Sequence, residues 1–106
     1  MATGSKRSQH RDPAPDDELQ VALDALADPV RRSIIRQLAA RPDWSITCGF
    51  FDLPVGKATG SHHFAVLREA GLLEQREDGT RRLNRLRRPE FDARFPGLLD
   101  LVLQGE

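Results

Sequence analysis

Residues 56–71 read GKATGSHHFAVLREAG, and their pattern is that of a helix with two unlike sides. Phe64, Leu67 and Ala70 recur at helical spacing and predict the side that packs against a core. Gly71 stands where a glycine can adopt the left-handed conformation that ends a helix. The stretch is therefore predicted to be one amphipathic helix.

The opposite side of this predicted helix, which begins at Lys57, is narrow and small. Its members follow the spacing i, i+3, i+4, i+7 and are Ala58, Ser61, His62 and Ala65. Short side chains let a helix backbone approach base edges in DNA, and polar groups near the N-terminus can reach bases and phosphates. This side is typical of a helix that reads the major groove, although ordinary solvent-exposed helices carry the same residue types.

A β-hairpin is predicted directly after this helix. Residues 72–77 and 80–86 form two strand-like runs, joined by Asp78-Gly79, a dipeptide favoured in two-residue turns whose positions need positive φ. Six arginines and three acids lie within residues 74–88, so the hairpin is expected to attract anions.

The first helix of the chain is predicted to begin at Asp16 or Asp17, where acidic residues favour the helix dipole, and to end near Ala27. Its expected inward-facing residues are Leu19, Ala22, Leu23 and Leu26.

Asp28-Pro29 predicts the start of a second helix, with aspartate as the N-cap and proline in the first turn. This helix is expected to end near Ala40. Its predicted inward-facing residues are Val30, Ile34, Ile35 and Leu38. Its outward-facing arginines, Arg31, Arg32 and Arg36, are expected to bond to the acidic first helix or to DNA phosphate, with Arg32 favoured for phosphate.

The remaining segments are less regular. Residues 44–53 suit a short buried helix, although Gly49 weakens that assignment. Pro89 restarts a helix beyond the hairpin, and Pro96 is expected to kink or split it. The apolar positions of this last helix are Phe91, Phe95, Leu98, Leu99 and Val102.

These elements predict a mainly α fold with a small β-hairpin, of the α+β class, in the order α-α-α-α-β-β-α. Helices followed by a basic hairpin form the winged helix-turn-helix fold, in which one helix enters the major groove and the hairpin lies along the flanking backbone. Residues 1–15 lack apolar periodicity and are predicted to be a disordered arm. The winged helix DNA-binding domain is therefore assigned to residues 16–106.

The composition fits one small domain. The chain has 106 residues, its 16 basic side chains balance 16 acidic ones, and it has no apolar segment typical of a membrane span or secretory signal. Its single cysteine, Cys48, cannot form an internal disulfide. We therefore expect a cytoplasmic protein, and a chain this small is expected to bury further apolar surface as an oligomer.

Three segments of the chain are similar to the motifs of one family. Residues 25–38 (ALADPVRRSIIRQL) resemble the second-helix signature of ArsR-type winged helix transcriptional regulators, residues 61–72 (SHHFAVLREAGL) resemble their recognition-helix pattern, and residues 77–82 (EDGTRR) resemble their arginine-rich wing. The match spans about residues 19–86. The resemblance implies a homodimer, built from the first and last helices, that binds a palindromic DNA operator and represses transcription until an effector releases it.

The resemblance also implies a set of DNA-contacting residues. They are Lys57, Ala58, Thr59, Ser61, His62 and His63 on the recognition helix and Arg76, Arg81 and Arg82 on the wing. Two positions depart from the family pattern. Gly56 replaces the usual serine N-cap, and Gly60 stands where an apolar residue is common, at a cost of about 1 kcal/mol relative to alanine.

Neither a metal site nor a cofactor is expected. Many family members sense thiophilic metals through a Cys-x-Cys pair, but Cys48 has no companion thiolate in the corresponding residues 46–53. The adjacent His62 and His63 point about 100° apart on a helix and cannot easily share one ion. The chain is thus placed outside the metal-sensing subclass, and its effector is left open.

Two other functional classes compete with DNA binding. A winged helix can serve as a protein-interaction module, but such a surface should carry large apolar anchors, which the small side of the predicted recognition helix lacks. An enzyme is not expected, because no catalytic triad, carboxylate pair or phosphate-binding loop can be assembled from the sequence. DNA binding is the predicted function, with the protein-interaction module as its alternative.

Overall fold

The computed structural model describes residues 16–41, 44–46 and 54–105, which form five helices and three short strands. In chain order these elements are α1 (Asp16–Leu26), α2 (Pro29–Ala39), β1 (Ser45–Ile46), α3 (Lys57–Glu69), β2 (Leu73–Asp78), β3 (Arg81–Leu86), α4 (Arg88–Arg94) and α5 (Leu98–Gln104). The predicted arm at residues 1–15 lies outside the described residues, as does most of the segment predicted to be a short helix.

α2 begins as the Asp28-Pro29 pair predicts. The Asp28 carboxylate accepts hydrogen bonds from the backbone N–H groups of Val30 at 2.7 Å and Arg31 at 3.3 Å. Burial by itself would raise the pKa of Asp28, but these two donors and the Arg31 guanidinium outweigh it and lower the pKa below its usual value. The charged form of Asp28 therefore caps the helix.

The buried side of α1 differs from the prediction. Ala22, Ala25 and Leu26 form its buried stripe, whereas Leu19 and Leu23 are 36% and 44% exposed. The expectation that both leucines face inward is wrong for this single chain, because the two alanines, rather than the larger leucines, meet the core. α1 therefore keeps an apolar side open.

Two of the α2 arginines bond to the first helix, which is one of the two alternatives expected for them. Arg31 donates to the backbone oxygens of Asp24 and Ala25, and Arg32 donates to that of Leu26 at 2.8 Å. The last carbonyls of a helix have no partner within it, so arginine donors stabilise this end. Arg31 and Arg32 thus bond to the backbone of α1 rather than to its acidic side chains.

One apolar core joins the helices to the hairpin. Its fully or nearly fully buried members are Ala22, Ala25, Leu26, Ile34, Ile35, Leu38, Phe64, Leu67, Leu72, Leu73, Phe91 and Leu99. The predicted inward positions of α2 and α3 lie in this list, except for half-buried Val30 and Ala70. Burial of these side chains fixes which side of α3 faces away from the core.

The end of α3 follows the prediction made from Gly71. This glycine has φ +78°, its N–H donates to the Arg68 oxygen, and the Leu72 N–H donates to the Leu67 oxygen. The pair of bonds is the Schellman motif, which directs the chain sharply out of the helix. It leads α3 straight into β2.

The hairpin turn lies one residue later than predicted. Asp78 pairs with Arg81, so the turn residues are Gly79, with φ +67°, and Thr80. The predicted turn would set Arg76 opposite Arg81, whereas the observed register sets Glu77 opposite Arg82 and aligns other acids with arginines. Opposite charges across a strand pair stabilise it and like charges destabilise it, which favours the observed register.

Two further details complete the fold. β1 pairs antiparallel with β3, giving a three-stranded sheet of order β1-β3-β2, so residues 45–46 form a strand rather than part of the predicted helix. The last helix is split near Pro96, as predicted, since α4 ends at Arg94 and α5 begins after Gly97.

Candidate nucleic-acid interface

The first half of α3 presents a continuous solvent-exposed surface. Its exposed residues are Lys57, Ala58, Thr59, Ser61 and His62. Phe64 and Leu67 are buried one and two turns later and hold the helix against the core. Gly56, the N-cap, makes no side-chain hydrogen bond to the first turn, and N–H groups at such a terminus attract phosphate. These exposed residues within 57–62 form the α3 face. Gly60, which lies between them in the chain, is buried.

His63 is separated from the α3 face. Its side chain is 6% exposed, and its Nδ1 lies 3.0 Å from Nη1 of Arg31 on α2. A side chain that points toward α2 cannot reach DNA while this packing holds. Sequence similarity grouped His63 with the DNA-contacting residues, whereas in this structure it is buried and lies apart from the exposed members of that group.

The arginines at the hairpin tip are exposed and loosely paired. Arg81 lies 3.3 Å from Asp78, and Arg82 lies 3.8 Å from Glu77. The four side chains are 58% to 73% exposed, so these ion pairs contribute only about 0 to 1 kcal/mol each and are screened by salt. Both arginines can exchange a carboxylate for a phosphate at little cost.

The three predicted wing arginines do not share one side of the hairpin. Directly paired residues point to the same side of a sheet, and neighbours along a strand point to opposite sides. Arg76 pairs with Leu83, which lies two residues from Arg81, so Arg76 and Arg81 share a side. Arg82 points to the other side. The hairpin therefore offers arginines on both surfaces, as an element lying edge-on along a DNA backbone would require.

Trp44 is a residue that the sequence interpretation missed. The Arg76 guanidinium carbon lies 4.4 Å from the centroid of the Trp44 ring, and that of Arg85 lies 5.6 Å from it. A cation over an indole face is attracted by the ring quadrupole. The single tryptophan of the chain, next to a strand, was the available signal, but its contact depends on β1 pairing with β3.

Arg85 at the base of the hairpin is occupied by acids. It bonds to Glu74 on β2, and it lies 3.4 Å from Glu90 on α4. The hydrogen bond to Glu74 raises the pKa of Arg85, which stays fully charged. These contacts tie the hairpin to α4, and they set Arg85 apart from the exposed arginines at the tip.

No protein-family model matches the chain. A Bacillus subtilis (strain 168) protein, described as the uncharacterized HTH-type transcriptional regulator YceK, is 35% identical over 90 residues, covering 82% of this chain and 89% of the relative. The chain belongs to the HTH-type transcriptional regulators. A solved structure described as a possible transcriptional regulator for arsenical resistance matches this regulator with TM-score 0.51 and 28% identity, covering 80% of this chain and 95% of that one.

The winged helix-turn-helix fold predicted for this regulator is confirmed by that structural match. Among residues 16–41, 44–46 and 54–105, no group of three or more His, Cys, Asp or Glu side chains could hold a metal ion. Cys48 lies outside these ranges. No helix in the described part of the chain is both long and apolar enough to cross a bilayer.

Proposed function

We propose that this regulator is a homodimeric repressor of the ArsR type that acts in the cytoplasm and binds a palindromic DNA operator through the α3 face and the hairpin. The main support is the exposure of the small, polar α3 face on a helix that leads directly into an arginine-bearing hairpin. One element fits a groove and the other fits the adjacent backbone.

The α3 face supplies the groups that a reading helix needs. Ser61 and His62 can each donate and accept hydrogen bonds at base edges, and Ala58 leaves room for the backbone to approach. Lys57 and Thr59 in the first turn would contact phosphate. Buried His63 is left out of this set of proposed DNA contacts.

The hairpin supplies phosphate contacts. Arg81 and Arg82 pair with exposed carboxylates, and Arg76 is oriented by its contact with Trp44. Arginine forms two parallel bonds to phosphate and is well suited to this role. These contacts would fix the position of the domain on the duplex without reading its sequence.

Apolar surface on α1 and α5 supports the dimer. Among the residues that the structure describes, the exposed large apolar ones are Leu19, Val21, Leu23 and Leu101. A groove of about 400 Å³ runs between these helices, lined by Leu19, Phe95, Pro96, Gly97, Leu98 and Leu101. A second copy of this chain would cover both. Twofold symmetry would then place two α3 helices in major-groove segments about 34 Å apart.

Selection of DNA fragments by the purified protein, followed by sequencing, is the primary test. The expected result is an enriched motif with twofold symmetry. On that motif, about eight neutralised phosphates would give a slope near −7 for log affinity against log salt. Failure to enrich any DNA sequence would refute the proposal and favour the protein-interaction module.

Matched substitutions separate reading from anchoring. Ser61→Ala with His62→Ala should change which selected sequences are preferred, because these side chains face the bases. Arg81→Ala and Arg82→Ala should weaken binding to all sequences alike and reduce the salt slope by about 1 each. An unchanged sequence preference in the Ser61/His62 variant would refute the assignment of the α3 face.

A further inference from the structure

We infer that Arg31 and His63 are positioning residues that fix the orientation of α3 relative to α1, and that their hydrogen bond sets the fit of the dimer to its operator. The inference rests on the proposed function, because it assigns α1 to the dimer contact and α3 to DNA reading.

One guanidinium joins three helices. Arg31, near the start of α2, donates from Nε to the Ala25 oxygen at 2.7 Å and from Nη2 to the Asp24 oxygen at 3.0 Å, both on α1. Its Nη1 lies 3.0 Å from Nδ1 of His63 on α3. The side chain therefore reaches both α1 and α3 from α2.

The chemistry of the contact defines the state of the histidine. Arginine can only donate hydrogen bonds, so Nδ1 of His63 must be the acceptor and must carry no proton. Protonation of Nδ1 would abolish the bond and set a second cation beside Arg31.

This bond provides a constraint that the apolar core lacks. Phe64 and Leu67 hold α3 against the core, but hydrophobic contacts are not directional and tolerate a rotation of the helix about its axis. A hydrogen bond from a charged group, here a partly buried one, has a narrow range of favourable geometry. His63 follows the α3 face directly, so an error in its position would turn Ser61 and His62 away from the base edges.

The test compares two substitutions at position 63. His63→Leu fills the volume but removes the acceptor, whereas His63→Asn keeps an acceptor oxygen near the position of Nδ1. We expect His63→Leu to lower affinity for the selected operator by roughly tenfold or more, and His63→Asn to retain most of it. Affinity for random DNA should stay within about twofold in both, because charge alone controls it.

Circular dichroism checks that each variant is folded. Should His63→Leu fail to fold, Arg31→Lys replaces it, because a lysine keeps the charge but cannot span the α1 carbonyls and His63 at once. The same loss of operator affinity is then expected. If these variants keep the wild-type ratio of operator affinity to random-DNA affinity, the inference is overturned but the proposed function is not. A wild-type protein without sequence preference would overturn the proposed function as well.

Discussion

Leu101 on α5 provides the sharpest test of the proposed dimer. It is 68% exposed in the single chain, more than any other exposed large apolar residue that the structure describes. Leu101→Ala removes three carbon atoms, each worth about 0.8 kcal/mol on burial. Scaled by the exposed fraction, the loss is about 1.6 kcal/mol per subunit, and twofold symmetry doubles it to roughly 3 kcal/mol.

A loss of that size should raise the dimer Kd by about two orders of magnitude. Sedimentation equilibrium over a concentration series measures this Kd directly. Because Leu101 is mostly in solvent in the monomer, its replacement should change the free energy of unfolding of the monomer by less than about 0.5 kcal/mol.

Gln104→Ala is the matched control, since Gln104 is an exposed polar residue on the same helix. It should leave the dimer Kd within about threefold of the wild-type value, as expected for a surface substitution. A dimer Kd that does not respond to Leu101→Ala would refute the placement of α5 in the interface, and a wild-type chain that stays monomeric at every concentration would refute the dimer itself.

Three further outcomes follow from individual contacts. Asp28→Ala should lower the free energy of unfolding by about 1 kcal/mol, and Asp28→Asn should lower it less. Folding lowers the pKa of Asp28, so the stability that its charge contributes is present above the usual pKa of 3.8 and is lost as pH falls below it. The free energies of unfolding of wild type and Asp28→Asn, measured in urea, should therefore converge in acid. A constant difference between them across this pH range would contradict the role of the charge. Gly79→Ala should cost about 1 kcal/mol in thermal unfolding, from its φ of +67° alone, since nothing lies within 4 Å of the added Cβ; an unchanged stability would contradict the turn. Trp44→Leu removes the ring that orients Arg76 and should weaken DNA binding by about threefold in a fluorescence anisotropy titration with labelled DNA. The preference among DNA sequences should not change. A changed preference would place Trp44 in sequence reading instead.

The sequence predicted best the features that depend on a few neighbouring residues. The Asp28-Pro29 start of α2, the Gly71 end of α3 and the break near Pro96 are all controlled by local backbone geometry or capping. Such signals lie within one or two turns of chain and need no knowledge of the rest of the molecule. The register of the hairpin was wrong by one residue, because charge pairing along both strands outweighed the preference of one dipeptide.

Contacts between residues far apart in the chain could not be predicted from the sequence. The bond from Arg31 to His63 spans 32 positions, and the contact of Trp44 with Arg76 requires β1 to lie beside β3. The exposure of Leu19 and Leu23 depends on which neighbours α1 meets. Helical periodicity identifies an apolar stripe but does not say whether the chain itself or a second copy covers it.

The amino-acid sequence by itself determined the kinds and order of the elements outside residues 44–53 and the small side of α3, because helix capping, turn geometry and hydrophobic periodicity are properties of short stretches. Only the tertiary structure decided which residues of those patterns are exposed and which other elements they contact. It buried His63, directed Arg31 and Arg32 to the backbone of α1 and divided the hairpin arginines between two surfaces, since each outcome depends on where separate elements meet in space.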